Sequence, residues 1–278
     1  MITVLLALLG AASYGVSDFI GGMFGKRASA WAVAATGGVG GAAASGVLAL
    51  LHSGDPTVGD LAWGAGAGVG SGVGTAFLYR GLASGRMGVV APVSGVLAVV
   101  LPVVVGVATG ERPGGLVWLG IVAAVPAIWL VAREPTTTVE APAASGARDG
   151  VLAGIGFGGL FACLGQVPDG AGFWPLVSAQ LAGLVVIALA ATALGAAWVP
   201  RHAAAWGGGL AGLLGGVATW AFLLATHHGL LSVAAVLTSL YPAFTVLLAA
   251  LVLREHIHHV QGWGLALGGV AVVLVALG

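Results

Sequence analysis

Ten times along this chain a run of some twenty apolar residues passes with almost no charge inside it, and that pattern limits the fold more than any other feature. A segment that crosses about 30 Å of hydrocarbon needs about 20 such residues as a helix. Lipid offers no hydrogen-bond partners, so the backbone must satisfy itself within each segment. The runs are 2–22, 31–51, 61–84, 88–109, 116–131, 151–166, 173–198, 203–226, 230–253 and 260–277, and nearly every charged residue lies between them. The short alternating strands of a transmembrane barrel are absent from the pattern. Soluble domains carry about a quarter charged residues, whereas this 278-residue chain has 6% charged and 59% hydrophobic residues, which places it in a bilayer. The N-terminal run lacks a basic flank and a small-residue cleavage site, so it reads as a retained helix.

The second half echoes the first. Residues 88–132 return 144 positions later as 232–276, with Val89/Val233, Ala91/Ala235, Glu111/Glu255, Gly120/Gly264 and Ala127/Ala271 in register, and both copies close on Leu-Val-Ala. A lone acid at the same break between two hydrophobic runs is the most informative of these pairs. The expected organisation is a first five-helix repeat over 1–132, a polar linker over 133–149, and a second five-helix repeat over 150–278. Five is odd, so the second repeat enters the membrane from the opposite side. The expected fold is therefore all-α, ten transmembrane helices as two antiparallel, inverted-topology repeats around a shared central site.

These residues resemble the drug/metabolite transporter superfamily, in its ten-helix form built of two EamA-type repeats. Glu111 with Gly120 and Glu255 with Gly264 keep the acid-to-glycine spacing that such proteins show at the end of each repeat. The opening Tyr14-Gly15-Val16-Ser17-Asp18-Phe19 is similar to the Trp-Gly-x-x-x-Phe of their first helices, with Tyr in place of Trp. The resemblance implies a transporter rather than an enzyme, working on a small-molecule substrate in the cell membrane; a monomer and a homodimer both stay open. It also implies termini inside the cell. The basic residues imply the reverse: Lys26, Arg27, Arg86, Arg133, Arg148, Arg201 and Arg254 fall at one face and Arg112 at the other, which puts the linker in the cytoplasm and the termini outside.

Charges within spans point most directly to function. Asp18 lies about five residues from the expected end of the first helix and Arg80 about five from the end of the third, so the two are expected at similar depth. They could pair, or hold the two ends of a zwitterion. Gln166, His227 and His228 occupy the matching region of the second half. Tyr14, Ser17, Gln180, Trp220, Thr238, Ser239 and Tyr241 supply further polar or stacking edges for substrate binding. Asp18, His227 and His228 are the candidates for a coupling proton, since a histidine changes charge near neutral pH.

The third run alternates glycine from Gly64 to Gly74, giving one row through Gly64, Gly68 and Gly72 and another through Gly66, Gly70 and Gly74. Each row allows close approach of a neighbouring helix. The single Cys163 permits no intrachain disulfide and reads as a small packed hydrophobe. His256, His258 and His259 sit in a short turn without a distant acid or thiol, so no metal is expected, and no nucleotide-binding loop, cofactor motif or basic block for nucleic acid is present. Glu111 and Glu255 read as capping or hairpin-tying residues. Two other functions remain open: a flippase for lipids or lipid-linked sugars, which needs a lateral groove with basic residues at headgroup level, and an intramembrane enzyme, which needs a convergent catalytic cluster.

Overall fold

The computed structural model describes residues 1–52, 54–83, 87–132 and 143–278. Its long helices are α1 (Ile2–Gly25), α2 (Ala30–Leu51), α3 (Val58–Ala83), α4 (Met87–Ala108), α5 (Gly115–Ala132), α6 (Ala143–Leu164), α7 (Trp174–Ala193), α8 (Gly207–His227), α9 (Leu231–Thr238), α10 (Tyr241–Val252) and α11 (His259–Leu277). No strand occurs among the described residues. Among the described residues nine segments are long and apolar enough to cross a membrane, with α9 and α10 counted as one. The tenth, α3, owes its lower hydropathy to its glycines and to Asp60 and Arg80 near its ends. The chain is an integral, multi-pass membrane protein.

Three boundaries depart from the sequence pattern. The run 230–253 is two helices, because Pro242 at the start of α10 lacks an N–H and its ring crowds the carbonyl four residues back, which belongs to Thr238, the last residue of α9. Helix α4 runs unbroken through Pro92 and Pro102. Helix α6 begins at Ala143, eight residues before the apolar run starts, so residues 143–149 are helical, while 133–142 of the expected linker lie outside the described residues.

Both chain ends lie at one face of the bundle, here called the terminal end. Thr3 Oγ1 donates to the His228 carbonyl at 2.8 Å, the Asp55 amide to the Gly170 carbonyl at 3.1 Å, and Gly278 abuts Leu116 and Val117. At the opposite, basic end are Lys26, Arg27, Arg148, Arg201 and Arg254. Glu111 lies at the terminal end and Glu255 at the basic end, as their places between antiparallel helices require.

Packing is dense where glycines meet backbone. A Cβ on Gly64 or Gly68 would strike the carbonyls of Pro175 and Ala179, and one on Gly72 would lie 2.6 Å from Val186, so that row seats α3 against α7. The second row faces α6: a Cβ on Gly70 would lie 2.6 Å from the Gly156 oxygen, and one on Gly74 would lie 2.7 Å from the Phe157 ring. Both expected rows therefore carry contacts. The counterpart in the other half is α8, whose Gly208 and Gly212 press on the Val33 and Gly37 carbonyls of α2. Further principal contacts join α1 to α8, α9 and α10, α4 to α6, α5 to α11, and α2 to α7.

Candidate functional site

Asp18 stands seven residues before the last residue of α1, about 10 Å from that helix end at 1.5 Å per residue. It is deeper than the sequence suggested, because α1 continues to Gly25. The residue is exposed, and the direction of that exposure follows from the helix itself. Leu9 is nine residues away, so at about 100° per residue the two side chains leave α1 on opposite sides. Leu9 and Leu5 are the outward, lipid-facing residues, at 44% and 62% exposed. Ser17 Oγ donates to the Ala211 carbonyl of α8 at 2.7 Å on one flank, and Gly15 packs on Phe244 and Thr245 of α10 on the other. Asp18 thus opens inward, into a recess between α1, α8 and α10. Among the described residues it has no hydrogen-bond or ion-pair partner.

One turn nearer the terminal end, Tyr14 lies on the same face of α1. Its ring meets Phe161 of α6 edge-on, with centroids 6.3 Å apart at 77°, and Tyr241 of α10 at 6.0 Å. Phe161 in turn packs on Phe222 of α8 at 4.6 Å. These four rings, from four helices, form a layer across the bundle. Asp18 is close enough to act electrostatically on both tyrosines. The Tyr14 hydroxyl is buried with no hydrogen-bond partner among the described residues, as are Trp220 Nε1 and the Ser239 hydroxyl.

Arg80 goes elsewhere. It lies three residues from the end of α3, shallower than Asp18, and its Nε donates to Asp149 Oδ1 of α6 at 3.1 Å, with Nη2 on the same oxygen. Its guanidinium also covers the Phe77 ring at 4.5 Å. The expected Asp18 and Arg80 pair does not form: α1 packs on α8, α9 and α10, whereas α3 packs on α6 and α7. Asp149 was placed in the linker by the sequence pattern; a lone acid just before an apolar run was the signal that it could reach back to a charge in a span.

The remaining candidates scatter. Ser17 is used in its bond to α8. Gln166 lies past the end of α6 with a weak bond to the Ala162 carbonyl at 3.4 Å. Trp220 meets Phe173 edge-on at 6.4 Å, nearer the terminal end than Tyr14. His227 approaches the Val167 carbonyl with Nε2 at 2.9 Å and Asp169 with Nδ1 at 3.1 Å, whereas His228 is exposed. Gln180 packs against Gly41 of α2, and Thr238 Oγ1 donates to the Ala7 carbonyl at 3.3 Å. The structure thus gathers Asp18, Tyr14 and Tyr241, joined by Phe161 and Phe222, which nothing in their apolar runs distinguished. Among the described residues no three His, Cys, Asp or Glu side chains cluster as a metal site would need.

Glu111 reaches across the bundle. Its carboxylate accepts the backbone amides of Leu231 and Ser232, the latter at 3.1 Å, and so caps α9. That joins the two halves of the chain instead of tying its own hairpin. A carboxylate at a helix N-terminus satisfies amides that have no partner within the helix and meets the positive end of its dipole.

The outer surface carries a different feature. A groove of about 610 Å³ between α3 and α7 is lined by Leu61, Val69, Trp174, Leu181 and Val185 among others. A smaller one of about 240 Å³ lies nearer Arg80. Both are apolar and open sideways.

Comparison with known proteins gives two findings. Residues 149–277 match the model of the EamA-like transporter family, so the resemblance to drug/metabolite transporters is shown over the second half of the chain. A crystal structure described only as that of a protein superposes with a TM-score of 0.75 at 15% identity, over 99% of this chain and 96% of that one, and shows the fold alone. No curated protein matches the sequence. The family so matched is one of transporters, and the match covers 129 of the 278 residues.

Proposed function

We propose that the protein is a secondary transporter of small organic metabolites, exporting them from the cell by alternating access between two inverted five-helix repeats. The pairing of helices supports the duplication. Exchanging α1 with α6, α2 with α7, α3 with α8, α4 with the α9 and α10 pair, and α5 with α11 turns the contact of α3 on α6 into that of α8 on α1. The same exchange turns α3 on α7 into α8 on α2 and α4 on α6 into α9 and α10 on α1, and it leaves α5 on α11 and α2 on α7 unchanged.

The observation that carries the mechanism is the difference between the two ends of the bundle. Every residue of α9 is buried and no residue of α10 is, so the bundle is packed shut on the terminal side of the aromatic layer and loose on the side where Asp18 is exposed. This is one of the two states alternating access needs. With the basic end in the cytoplasm, as the basic-residue count argues, the recess opens to the cytoplasm, the side from which an exporter loads its substrate. The groove on α3 favours a second reading, a flippase that passes headgroups along the outside near Arg80, although that arginine is already engaged by Asp149.

One experiment separates the two. A Cβ on Gly229 would lie 3.1 Å from the Cβ of Thr3, close to the roughly 3.8 Å that a disulfide prefers. With Cys163 replaced by Ala, the Thr3→Cys, Gly229→Cys pair should stop transport in vesicles when oxidised and recover it on reduction. Unchanged substrate transport in the oxidised protein would refute alternating access through the terminal end, and lipid movement that persists there would favour the outer groove.

A further inference from the structure

The charge inside the bundle has one sign. Arg80, which could have served the acidic end of a zwitterion, is held by Asp149 near the helix ends, and Asp18 is left as an accessible carboxylate with no partner among the described residues. Its neighbours toward the closed end are π faces: Tyr14 one turn away, Tyr241 within electrostatic range, and Phe161 behind Tyr14. The four residues from Tyr14 to Asp18 rise about 6 Å along the axis, roughly the span from an ammonium nitrogen to the ring in a phenylethyl amine. Aromatic faces attract cations and pack apolar bodies, and a lone carboxylate in a low-dielectric recess favours a positive charge over a negative one. The buried Tyr14 hydroxyl, without a partner among the described residues, offers one further hydrogen bond.

We propose that the recess is a site for organic cations, in which Asp18 takes the ammonium group and the Tyr14 and Tyr241 rings take the apolar body, with Phe161 packed behind Tyr14. The assignment rests on the transporter reading and names its substrate class.

The test is counterflow in reconstituted vesicles with three probes that share a phenyl ring: trimethyl(2-phenylethyl)ammonium, phenylalanine and 3-phenylpropanesulfonate. The cation should be carried saturably and the sulfonate should not. Asp18→Asn should weaken the apparent affinity for the cation by about tenfold or more, since the attraction of opposite charges about 4 Å apart outside bulk water contributes at least that much, and Asp18→Glu should recover part of it. Monodisperse elution of both variants in detergent excludes misfolding as the cause of a loss. Transport of phenylalanine or the sulfonate without the cation would overturn the cation site and leave the transporter standing. Equal cation transport by Asp18→Asn would also overturn it. Transport of none of the three by the unaltered protein would count against both readings.

Discussion

Helices α9 and α10 are two halves of one membrane segment, similar in apolar content, yet they sit in opposite surroundings. α9 is enclosed on all sides, with Ala234, Ala235, Val236, Leu237 and Thr238 at 0% exposure. α10 has no buried residue, and its Leu251 is 78% exposed. The two meet at Ser239 and Leu240, level with the aromatic layer of Tyr14, Tyr241, Phe161 and Phe222. Hydropathy cannot account for the difference, so it lies in what each half packs against. α9 is gripped by α1 and α4 and capped by Glu111, whereas α10 leans on α1 with the recess of Asp18 beside it. A bundle built this way can hold one end shut while the other admits a solute, and the break before Pro242 lets the halves behave separately.

The comparison is most exposed to thiol labelling. In a Cys163→Ala background, a cysteine at Thr245 of α10 should react with an impermeant maleimide at least about tenfold faster than one at Val236 of α9, because access governs thiol reactivity. Labelling at Thr245 in inside-out vesicles but not in intact cells would place the open end in the cytoplasm; the opposite pattern would reverse the orientation, and equal rates at the two sites would dissolve the distinction between closed and open ends.

Truncation probes the same contrast by stability. Leu237→Ala, in α9, should destabilise by about 2–5 kcal/mol through loss of packing and the cavity left behind, while Leu247→Ala, 40% exposed in α10, should change it by about 0.5 kcal/mol or less. Thermal unfolding in detergent reads both, and similar losses at the two sites would contradict the burial difference.

The smallest effect concerns the paired acids. Glu111→Ala removes a cap and should destabilise by about 0.5–2 kcal/mol. Glu255→Ala, at an exposed site with no partner among the described residues, should be nearly silent. A matching loss at Glu255 would show that the two repeats are engaged alike and that the asymmetry of the ends is not carried by these residues.

Much of this is legible in the sequence. The two glycine rows of α3 announce two close neighbours because glycine spacing on a helix is a statement about its surface, and α7 and α6 occupy those two sides. Glu111 and Glu255 were both readable as capping or hairpin-tying residues because an acid between two apolar runs has few other places to go; Glu111 caps α9, whereas the Glu255 side chain has no partner among the described residues. Asp18 could be singled out by rarity alone. Its partner could not: depth counted along a helix says nothing about which helix stands opposite, so Arg80 was matched to the wrong acid. Phe161 and Phe222 were invisible for a related reason, since an aromatic residue in an apolar span looks the same whether it faces lipid or a binding site.

The sequence by itself determined that this chain spans a membrane as helices, that residues 232–276 echo residues 88–132, and that its interior holds very few charges. Those conclusions rest on the cost of placing backbone and charge in hydrocarbon, which every residue meets locally. Only the tertiary structure decided that Arg80 belongs to Asp149, that Glu111 caps a helix of the other half, that α9 is shut in while α10 is open, and that Asp18 looks inward on a ring of aromatics. Each of these depends on which helices become neighbours, and in lipid that choice is made by close packing of shapes, a property of surfaces brought together and not of any one segment.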